Sequence, residues 1–140
     1  MNENAIKARR TLESGGYTCV LCQDDHMLTD NRRGVRPLLE LLENADNFSG
    51  YSAADKVVGK AAAFLYQLLH VDFVYAQVIS QPALDVLTRS GIATQYSTLV
   101  PAIRNRDNTG FCPMETAVLH IDDPNEAFVA IKQTLSKLEK

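Results

Sequence analysis

The chain has 140 residues, of which 46% are apolar and 22% charged, and its formal net charge is −3. These values are typical of one globular domain, and a pI of about 5.5 argues against a broadly basic surface that would bind nucleic acid. No apolar run approaches the ~18 residues of a membrane-spanning helix, and the first residues lack the apolar segment of a signal peptide. The sequence therefore predicts one cytoplasmic domain over residues 1–140, with no membrane or nucleic-acid partner and with reduced cysteines.

The first half of the chain predicts a helix, a hairpin and two further helices. Residues 2–13 are expected to form a helix that stops at Ser14-Gly15-Gly16, and residues 17–22 and 26–29 a hairpin. Another helix is expected from Arg36-Pro37 to about residue 44. The stretch YSAADKVVGKAAAFLYQLLH, residues 51–70, has apolar residues around most of a helical circumference, and Ser52 with Asp55 fits a capping box. It is predicted to be one largely buried helix.

The second half predicts strands separated by helices. Residues 73–79 form an apolar run typical of a strand covered on both faces. A helix follows from Ser80-Gln81-Pro82 to Ser90-Gly91, then a strand at 92–99, a short helix at 113–119 and a last helix from Asp123-Pro124. The apolar stripe expected on that last helix contains Phe128, Ile131, Leu135 and Leu138. This order predicts an α/β protein with a mixed sheet covered on both faces, a three-layer α/β/α sandwich.

Part of this order resembles the cytidine-deaminase-like fold. The strand at 73–79, the helix starting Pro82-Ala83-Leu84-Asp85-Val86, the turn Ser90-Gly91-Ile92 and the next strand are similar to the deaminase module of strand, P-C-x-x-C, helix, S-G-I and strand. In zinc deaminases, the two cysteines and the histidine of an H-x-E at the start of the preceding helix hold Zn²⁺, and the glutamate shuttles protons. The resemblance implies the same three-layer fold here.

The zinc-ligand positions differ from the deaminase pattern. Ala83 and Val86 stand where the two cysteines would be, and Gly59-Lys60-Ala61 is the best match to H-x-E. Because a zinc site needs three or four soft or imidazole ligands, the resemblance implies a domain with no zinc, no cofactor and no deamination. The blocks ADKVVGKAAA and NRDNTGFCPME are similar to those of a small bacterial family of unknown function on this fold, from about Tyr17 onward. That second resemblance implies mainly the fold.

One candidate site is the start of the predicted central helix, with Asp55, Lys56, Gly59 and Lys60. Lys56 and Lys60 are spaced i,i+4 and would lie on one helix side. A glycine inside a helix costs about 1 kcal/mol relative to alanine, which suggests that another backbone or a ligand approaches Gly59. Either these lysines bind an anion near the positive helix end, or they pair with carboxylates while Gly59 packs against the sheet.

A second candidate site is the stretch RNRDNTGFCPMET, residues 104–116. Arginine side chains bind carboxylate or phosphate in a bidentate manner, and Asn-Thr-Gly predicts a turn that exposes backbone N–H groups. The candidate ligand-binding residues of this stretch are Arg104, Asn105, Arg106, Asp107, Thr109, Gly110 and Cys112. The alternative is a solvated loop in which arginine and aspartate pair.

The end of this stretch carries a cysteine at a predicted helix start. Pro113 suits the first helical position, so Cys112 would be the N-cap residue, where the helix dipole favours a thiolate. Glu115 could reach back to the N–H of Cys112 or accept a proton. No histidine is an obvious base, since His120 lies more than a helical turn away. Cys112 is therefore a reactive thiol, a ligand contact or a structural cap, and the candidate catalytic residues are Cys112, Lys60 and Glu115.

Three other groups are expected to be structural. Cys19 and Cys22 form a C-x-x-C on a predicted strand, where residues i and i+3 point to opposite faces, so both should be buried small hydrophobes. The three histidines, His26, His70 and His120, fall at the ends of predicted elements. The arginines Arg32, Arg33 and Arg36 form a positive cluster that is expected to be a solvated edge.

These observations favour a domain that binds a small anionic ligand between residues 55–60 and 104–115. Sites in open α/β sheets lie at strand ends and helix N-termini, and the fold suggests a nucleotide-like ligand by analogy alone. One alternative is an enzyme that depends on Cys112 or Lys60. Another is a catalytically silent interaction module or homo-oligomer.

Overall fold

The computed structural model describes residues 2–44, 47–104 and 112–138. Eleven helices and strands are found in these ranges, and they alternate along most of the chain. In chain order they are α1 (Glu3–Gly15), β1 (Cys19–Gln23), β2 (His26–Asp30), α2 (Arg36–Glu43), β3 (Ser52–Val58), α3 (Lys60–Leu69), β4 (Phe73–Ser80), α4 (Gln81–Arg89), β5 (Ala93–Val100), α5 (Pro113–Ala117) and α6 (Pro124–Leu138).

The five strands form one open mixed sheet in the order β2-β1-β3-β4-β5. The strand β1 pairs antiparallel with both β2 and β3, whereas β3, β4 and β5 are parallel. Parallel neighbours need a crossover connection, and α3 and α4 provide these two crossovers. The α/β class and the mixed sheet predicted from the sequence are confirmed.

Helices pack on both faces of this sheet. Along β1, Cys19 and Leu21 join the larger hydrophobic cluster, while Val20 and Cys22 join the smaller one. Because successive strand residues point to opposite faces, the two clusters lie on opposite sides. Residues of α1 complete the smaller cluster, and residues of α2, α3, α4 and α6 complete the larger. The prediction that Cys19 and Cys22 are buried on opposite faces is confirmed.

The predicted helix over residues 51–70 is wrong in its first half. Ser52–Val58 is the strand β3 between β1 and β4, and the helix α3 begins only at Lys60. The capping box of Ser52 and Asp55 is therefore also wrong. A run that is apolar on all sides fits a buried strand as well as a buried helix, and pairing with β1 and β4 decides in favour of the strand.

Gly59 lies between β3 and α3 rather than inside a helix. It is the N-cap residue of α3, with an extended backbone at φ −94° and ψ 179°. Any residue can adopt this conformation, so backbone strain does not require a glycine at this position. The reason for a glycine lies in what contacts it.

Most other boundaries agree with the sequence prediction to within a few residues. The apolar stripe predicted on α6 is confirmed at Phe128, Ile131 and Leu135, which pack in or against the larger hydrophobic cluster. It is wrong at Leu138, which lies at the helix end and is 57% exposed. In the described ranges, no helix is long and apolar enough to cross a membrane.

The sheet brings two helix N-termini to one edge, because β3 leads into α3 and β4 into α4. The N-cap of α4 is Ser80, whose buried hydroxyl accepts a hydrogen bond from the N–H of Ala83 at 3.2 Å. The helix α5 contacts α3 and α6. The end of the second candidate site that lies in α5, including Glu115, therefore comes next to the start of α3.

Candidate functional site

The start of α3 holds the carboxylate of Glu115, which comes from α5. The N–H of Lys60 donates to Oε1 at 2.7 Å, and the N–H of Ala61 donates to Oε2 at 3.1 Å. These are two of the N–H groups that lack a partner within the helix. The first turn of α3 therefore binds both oxygens of one carboxylate, as it would bind an anion.

Gly59 makes this contact possible. A Cβ atom at Gly59 would lie 2.6 Å from the carboxyl carbon and from both oxygens of Glu115. Any side chain at this position would displace the carboxylate from the helix end. The close approach that the sequence suggested at Gly59 does occur, and the approaching group is a carboxylate of the same chain.

The helix α5 aims Glu115 at α3. Cys112 is the N-cap residue of α5 and Pro113 lies in its first turn, as predicted. The N–H of Cys112 donates to the carbonyl of Ile103 at 3.1 Å. The prediction that Glu115 bonds the N–H of Cys112 is therefore wrong, because that N–H is taken and the carboxylate reaches α3 instead.

Burial and hydrogen bonding act in opposite directions on Glu115. Burial raises the pKa of its carboxyl, while the N–H groups of Ala61 and Lys60 and the charge of Lys60 act to lower it. The Lys60 ammonium donates to the carbonyl of Leu119 at 3.1 Å and lies 5.7 Å from the ring centre of Phe64. Lys60 thus places a positive charge beside the bound carboxylate.

Two of the predicted site residues lie away from this helix end. Lys56 is exposed on β3, so the prediction that Lys56 and Lys60 share one helix side is wrong. Asp55 is 9% exposed and accepts hydrogen bonds from the Tyr66 hydroxyl at 2.7 Å and from the Val57 N–H at 3.2 Å. Burial raises the pKa of Asp55 to about 7.

Residues 105–111 lie outside the described residues, and with them five of the predicted site residues: Asn105, Arg106, Asp107, Thr109 and Gly110. Arg104 before them is exposed. The hydrogen bond between Cys112 and Ile103 joins the two flanks of this segment. The structure therefore brings Glu115 next to Gly59 and Lys60, and it joins Ile103 to Cys112 at the start of α5. We call Gly59, Lys60, Ala61 and Glu115 the α3 corner.

Sequence reasoning missed a second polar cluster, in which the Cys19 thiol lies 3.3 Å from the Tyr66 hydroxyl that bonds Asp55. Cys19 and Tyr66 are 47 residues apart. Their contact depends on the pairing of Cys19 with Asp55 across β1 and β3. No local pattern could have indicated it, because β3 itself was predicted as helix.

Within residues 2–44, 47–104 and 112–138, no three histidine, cysteine, aspartate or glutamate side chains are grouped so as to hold a metal ion. His26 begins β2, His70 is the C-cap of α3 and His120 follows α5, so all three lie at element ends, as predicted. The chemistry available at the α3 corner is therefore the binding of anionic oxygens by backbone N–H groups and Lys60.

A family model and a solved structure place the chain among known proteins. A family model described as "Domain of unknown function (DUF1893)" matches residues 7–135. The crystal structure of a DUF1893 family protein from Thermotoga maritima, at 2.70 Å resolution, is similar with a TM-score of 0.85 and 31% identity, over 98% of this chain and 92% of that one. No curated protein matches the sequence. The chain belongs to the DUF1893 family, a family of unknown function.

Proposed function

We propose that this domain binds a small anionic ligand at the α3 corner and does not carry out zinc-dependent deamination. The observation that carries the proposal is the bidentate contact of Glu115 with the N–H groups of Lys60 and Ala61. A ligand carboxylate or phosphate presents the same pair of oxygens. Such a ligand would displace Glu115 and gain the helix dipole and the Lys60 charge.

The topology supports a cytidine-deaminase-like scaffold for this function. An antiparallel β1–β2 hairpin extends a parallel β3-β4-β5 arrangement, and α3 and α4 start where the resemblance places the H-x-E and P-C-x-x-C motifs. At those starts lie Gly59, Ala83 and Val86, which offer no ligand atom, and Ala83 and Val86 are 0% and 2% exposed. These residues do not fit a zinc ion.

The sequence of the segment from Arg104 to Cys112 supports the proposal that the ligand is anionic. The hydrogen bond between Ile103 and Cys112 joins its two ends next to α5, and α5 carries Glu115. The sequence between them holds Arg106, Thr109 and Gly110, which suit an anion or a phosphate by charge and by backbone N–H groups. We infer that this segment completes the ligand site, and a nucleotide-like molecule is the ligand class that the scaffold suggests.

Ligand-induced thermal stabilisation tests this function with three probes: inorganic phosphate, a nucleoside monophosphate and the same nucleoside without phosphate. We expect the phosphate-bearing probes to raise the melting temperature and the nucleoside to have no effect. The effect should disappear in Lys60→Ala and Arg106→Ala and persist in Cys112→Ser. If no probe stabilises the wild type, or the nucleoside acts as strongly as the monophosphate, the proposal is wrong.

Removing the internal competitor gives a second test. In Glu115→Ala the first turn of α3 loses its carboxylate, so phosphate should bind about tenfold more tightly than to wild type, which corresponds to about 1.4 kcal/mol. Glu126→Ala is the matched control, because Glu126 lies in the first turn of α6 on the protein surface. Equal phosphate affinity in wild type, Glu115→Ala and Glu126→Ala would show that the α3 corner is only a structural cap.

An enzyme that uses Cys112, Lys60 and Glu115 is the less favoured alternative. Glu115 and Lys60 both use their polar atoms in contacts within the chain, to the N–H groups of α3 and to the Leu119 carbonyl. The alkylation rate of Cys112 as a function of pH separates the two proposals. An ordinary thiol pKa near ~8.5 favours the binding function, whereas a strongly lowered one favours the enzyme.

A further inference from the structure

The strand β5 forms one edge of the sheet, and no strand of the described ranges pairs with its outer side. None of its eight residues, Ala93–Val100, is buried, and six are exposed. The exposed side chains include the large ones of Tyr96 and Leu99. Because an edge strand presents a row of backbone N–H and C=O groups that can pair with another strand, a further strand can add to the sheet at β5.

The sequence of β5 has none of the features that proteins use to block an edge. Residues 93–100 read ATQYSTLV and contain no charged residue, no proline and no glycine. Lysine, proline and bulges are the usual means of preventing edge pairing, whereas threonine, tyrosine and valine favour strands. An edge of this length and composition is expected to pair in solution.

The opposite edge of the sheet, β2, is blocked by both length and charge. It has only five residues and ends in the carboxylate of Asp30. Arg32 follows and bonds both Asp30 and Glu40, each at 2.7 Å. Short length and charged side chains are two of the features that protect edges. The contrast between the two edges indicates that β5 is the edge that pairs.

The helix α4 lies beside this edge. As the crossover between β4 and β5, it packs against both strands, on the face of the larger hydrophobic cluster. When a second copy pairs its own β5 with this one, the two α4 axes are separated by about two strand spacings, roughly 10 Å. Helices pack against each other at about 8–10 Å. Edge pairing of two copies therefore also brings their α4 helices into contact.

The charges of α4 suit a contact between two copies. Asp85 and Arg89 are both exposed, have opposite sign and lie about one helical turn apart. When two β5 strands pair antiparallel, the two α4 helices also run antiparallel, so the Arg89 end of each lies beside the part of the other that holds Asp85. The helix dipoles are then also opposed. An extended peptide would pair with β5 alone and would gain neither contact.

We propose that two copies of this chain form a symmetric dimer in which their β5 strands pair antiparallel and join the two sheets into one. A two-fold axis at right angles to the sheet passes near Tyr96 and Ser97, in the middle of β5, so the same residues of both copies meet. Each copy contributes one strand and one helix. A contact of this extent is at the lower end of specific interfaces, so the dimer should dissociate at about 10 μM.

The molecular mass in solution tests the dimer directly. In sedimentation equilibrium between about 1 and 100 μM, the mean mass should rise from near the 15.5 kDa of one chain toward twice that value. Over the same range, hydrogen exchange at residues 93–100 should become slower, because paired N–H groups are protected. A wild type that keeps the mass of one chain at about 100 μM would overturn the proposal, and this is also the result expected if β5 takes an extended peptide instead.

The variant Thr98→Lys tests the edge. Thr98 is exposed on β5 close to the axis, so two lysines would lie roughly 10 Å apart in the dimer and repel each other. We expect the dissociation constant to rise by about tenfold or more, with the thermal transition retained. Gln95→Lys, also exposed on β5, repeats the test if Thr98→Lys does not fold. Thr29→Lys, at an exposed threonine of β2, is the matched control and should leave the dissociation constant unchanged.

Mixing two variants shows whether the same strand of both copies forms the contact. Thr98→Lys and Thr98→Glu should each dimerise poorly alone, and their mixture should form a heterodimer because the opposite charges then meet. In the same way, Asp85→Arg and Arg89→Asp should each weaken the dimer, and the double variant should restore it. A folded Thr98→Lys that dimerises as the wild type does, or a mixture without heterodimer, would show that the proposal is wrong.

The α3 corners stay apart in this dimer. Because the paired strands run in opposite directions, the two corners lie at opposite ends of the joined sheet. The variants at Thr98 should therefore leave phosphate binding unchanged, and Lys60→Ala should leave the dimer unchanged. Failure of either proposal is thus separable from failure of the other.

Discussion

The carboxylates of Glu115 and Asp55 are both withdrawn from solvent, and they are held in different ways. Glu115 is half-buried and bonds two backbone N–H groups at the start of α3. Asp55 is 9% exposed, and its partners are the Tyr66 hydroxyl and the N–H of Val57. Burial raises the pKa of both groups, and for Asp55 it does so to about 7.

The difference indicates what each place can do. At the α3 corner, fixed N–H groups and the helix dipole stabilise the negative charge itself, so the corner suits the binding of anions. At Asp55 the charge is poorly stabilised and is lost near neutral pH, and the partner is a hydroxyl that can pass a proton. That arrangement suits proton transfer.

The largest effect should come from the ionisation of Asp55 in the folded state. Its folded pKa of about 7 is above the ordinary 3.8, so the folded state binds a proton that the unfolded state has released. The stability associated with the protonated form is complete below pH ~4 and is lost as the pH rises through 7, by about 4 kcal/mol in total. Urea unfolding of wild type and Asp55→Asn between pH 4 and 8 measures it.

In Asp55→Asn most of this pH dependence should vanish, because the carboxyl with the raised pKa is gone. A difference between the two proteins that does not change with pH would contradict the placement of a titrating carboxyl at Asp55. Glu13→Gln, on the surface of α1, is the control and should leave the pH profile unchanged.

Tyr66→Phe should cost about 2 kcal/mol at pH 8, because it leaves the buried Asp55 carboxylate without its hydroxyl donor. The hydrogen bond favours the ionised form, so its loss raises the pKa of Asp55 further and the cost should be smaller at pH 5. Tyr51→Phe offers a matched comparison, since the Tyr51 hydroxyl bonds His26 instead of a carboxylate. Equal costs of Tyr66→Phe at the two pH values would argue against this coupling.

Gly59→Ala should destabilise the protein by about 1.5 kcal/mol, because the new Cβ would displace the Glu115 carboxylate from two N–H donors. The backbone of Gly59 is not strained, so the cost should come from this displacement. A double-mutant cycle with Glu115→Ala isolates it: in that background Gly59→Ala should be nearly neutral. A full cost that persists without Glu115 would show that another contact requires the glycine.

Lys60→Ala should have the smallest effect on folding, below about 0.5 kcal/mol, because its ammonium bonds one carbonyl at an exposed position. The same variant should abolish stabilisation by phosphate. A large loss of folding stability in Lys60→Ala would mean that the lysine is mainly a structural partner of Leu119. Such a result would contradict the role of Lys60 in binding anions at the α3 corner.

Much of the architecture could be predicted from the sequence. The helix starts at Asn2, Ser80 and Cys112 follow from local capping and proline signals, and the apolar run at 73–79 predicts a buried strand. Each of these signals depends on only a few neighbouring residues, so it can be recognised without knowledge of the fold. The strand β3 was missed because its Ala53, Ala54 and Val58 give no period that separates a buried strand from a buried helix.

The candidate site was predicted in part. The sequence correctly associated Gly59 and Lys60 with the segment that carries Glu115, and it correctly made Cys112 an N-cap residue. Asp55 and Lys56 were expected to lie beside Gly59 and Lys60 on one helix. This expectation is wrong, because Asp55 and Lys56 belong to β3, which ends at Val58 before α3 begins. The predicted role of Arg106 and its neighbours stays a prediction, since residues 105–111 lie outside the described part of the chain.

Local backbone chemistry and apolar periodicity are enough to predict where most helices begin and that the run at 73–79 is a buried strand, and they suggest a close neighbour at Gly59 without requiring one. Tertiary packing makes the Glu115 carboxylate the neighbour of Gly59, and it brings Cys19, Tyr66 and Asp55 into one hydrogen-bonded chain. Both contacts join residues far apart in sequence through strand pairing and helix packing. Their energies arise from burial and from donors on other elements, which no local pattern contains.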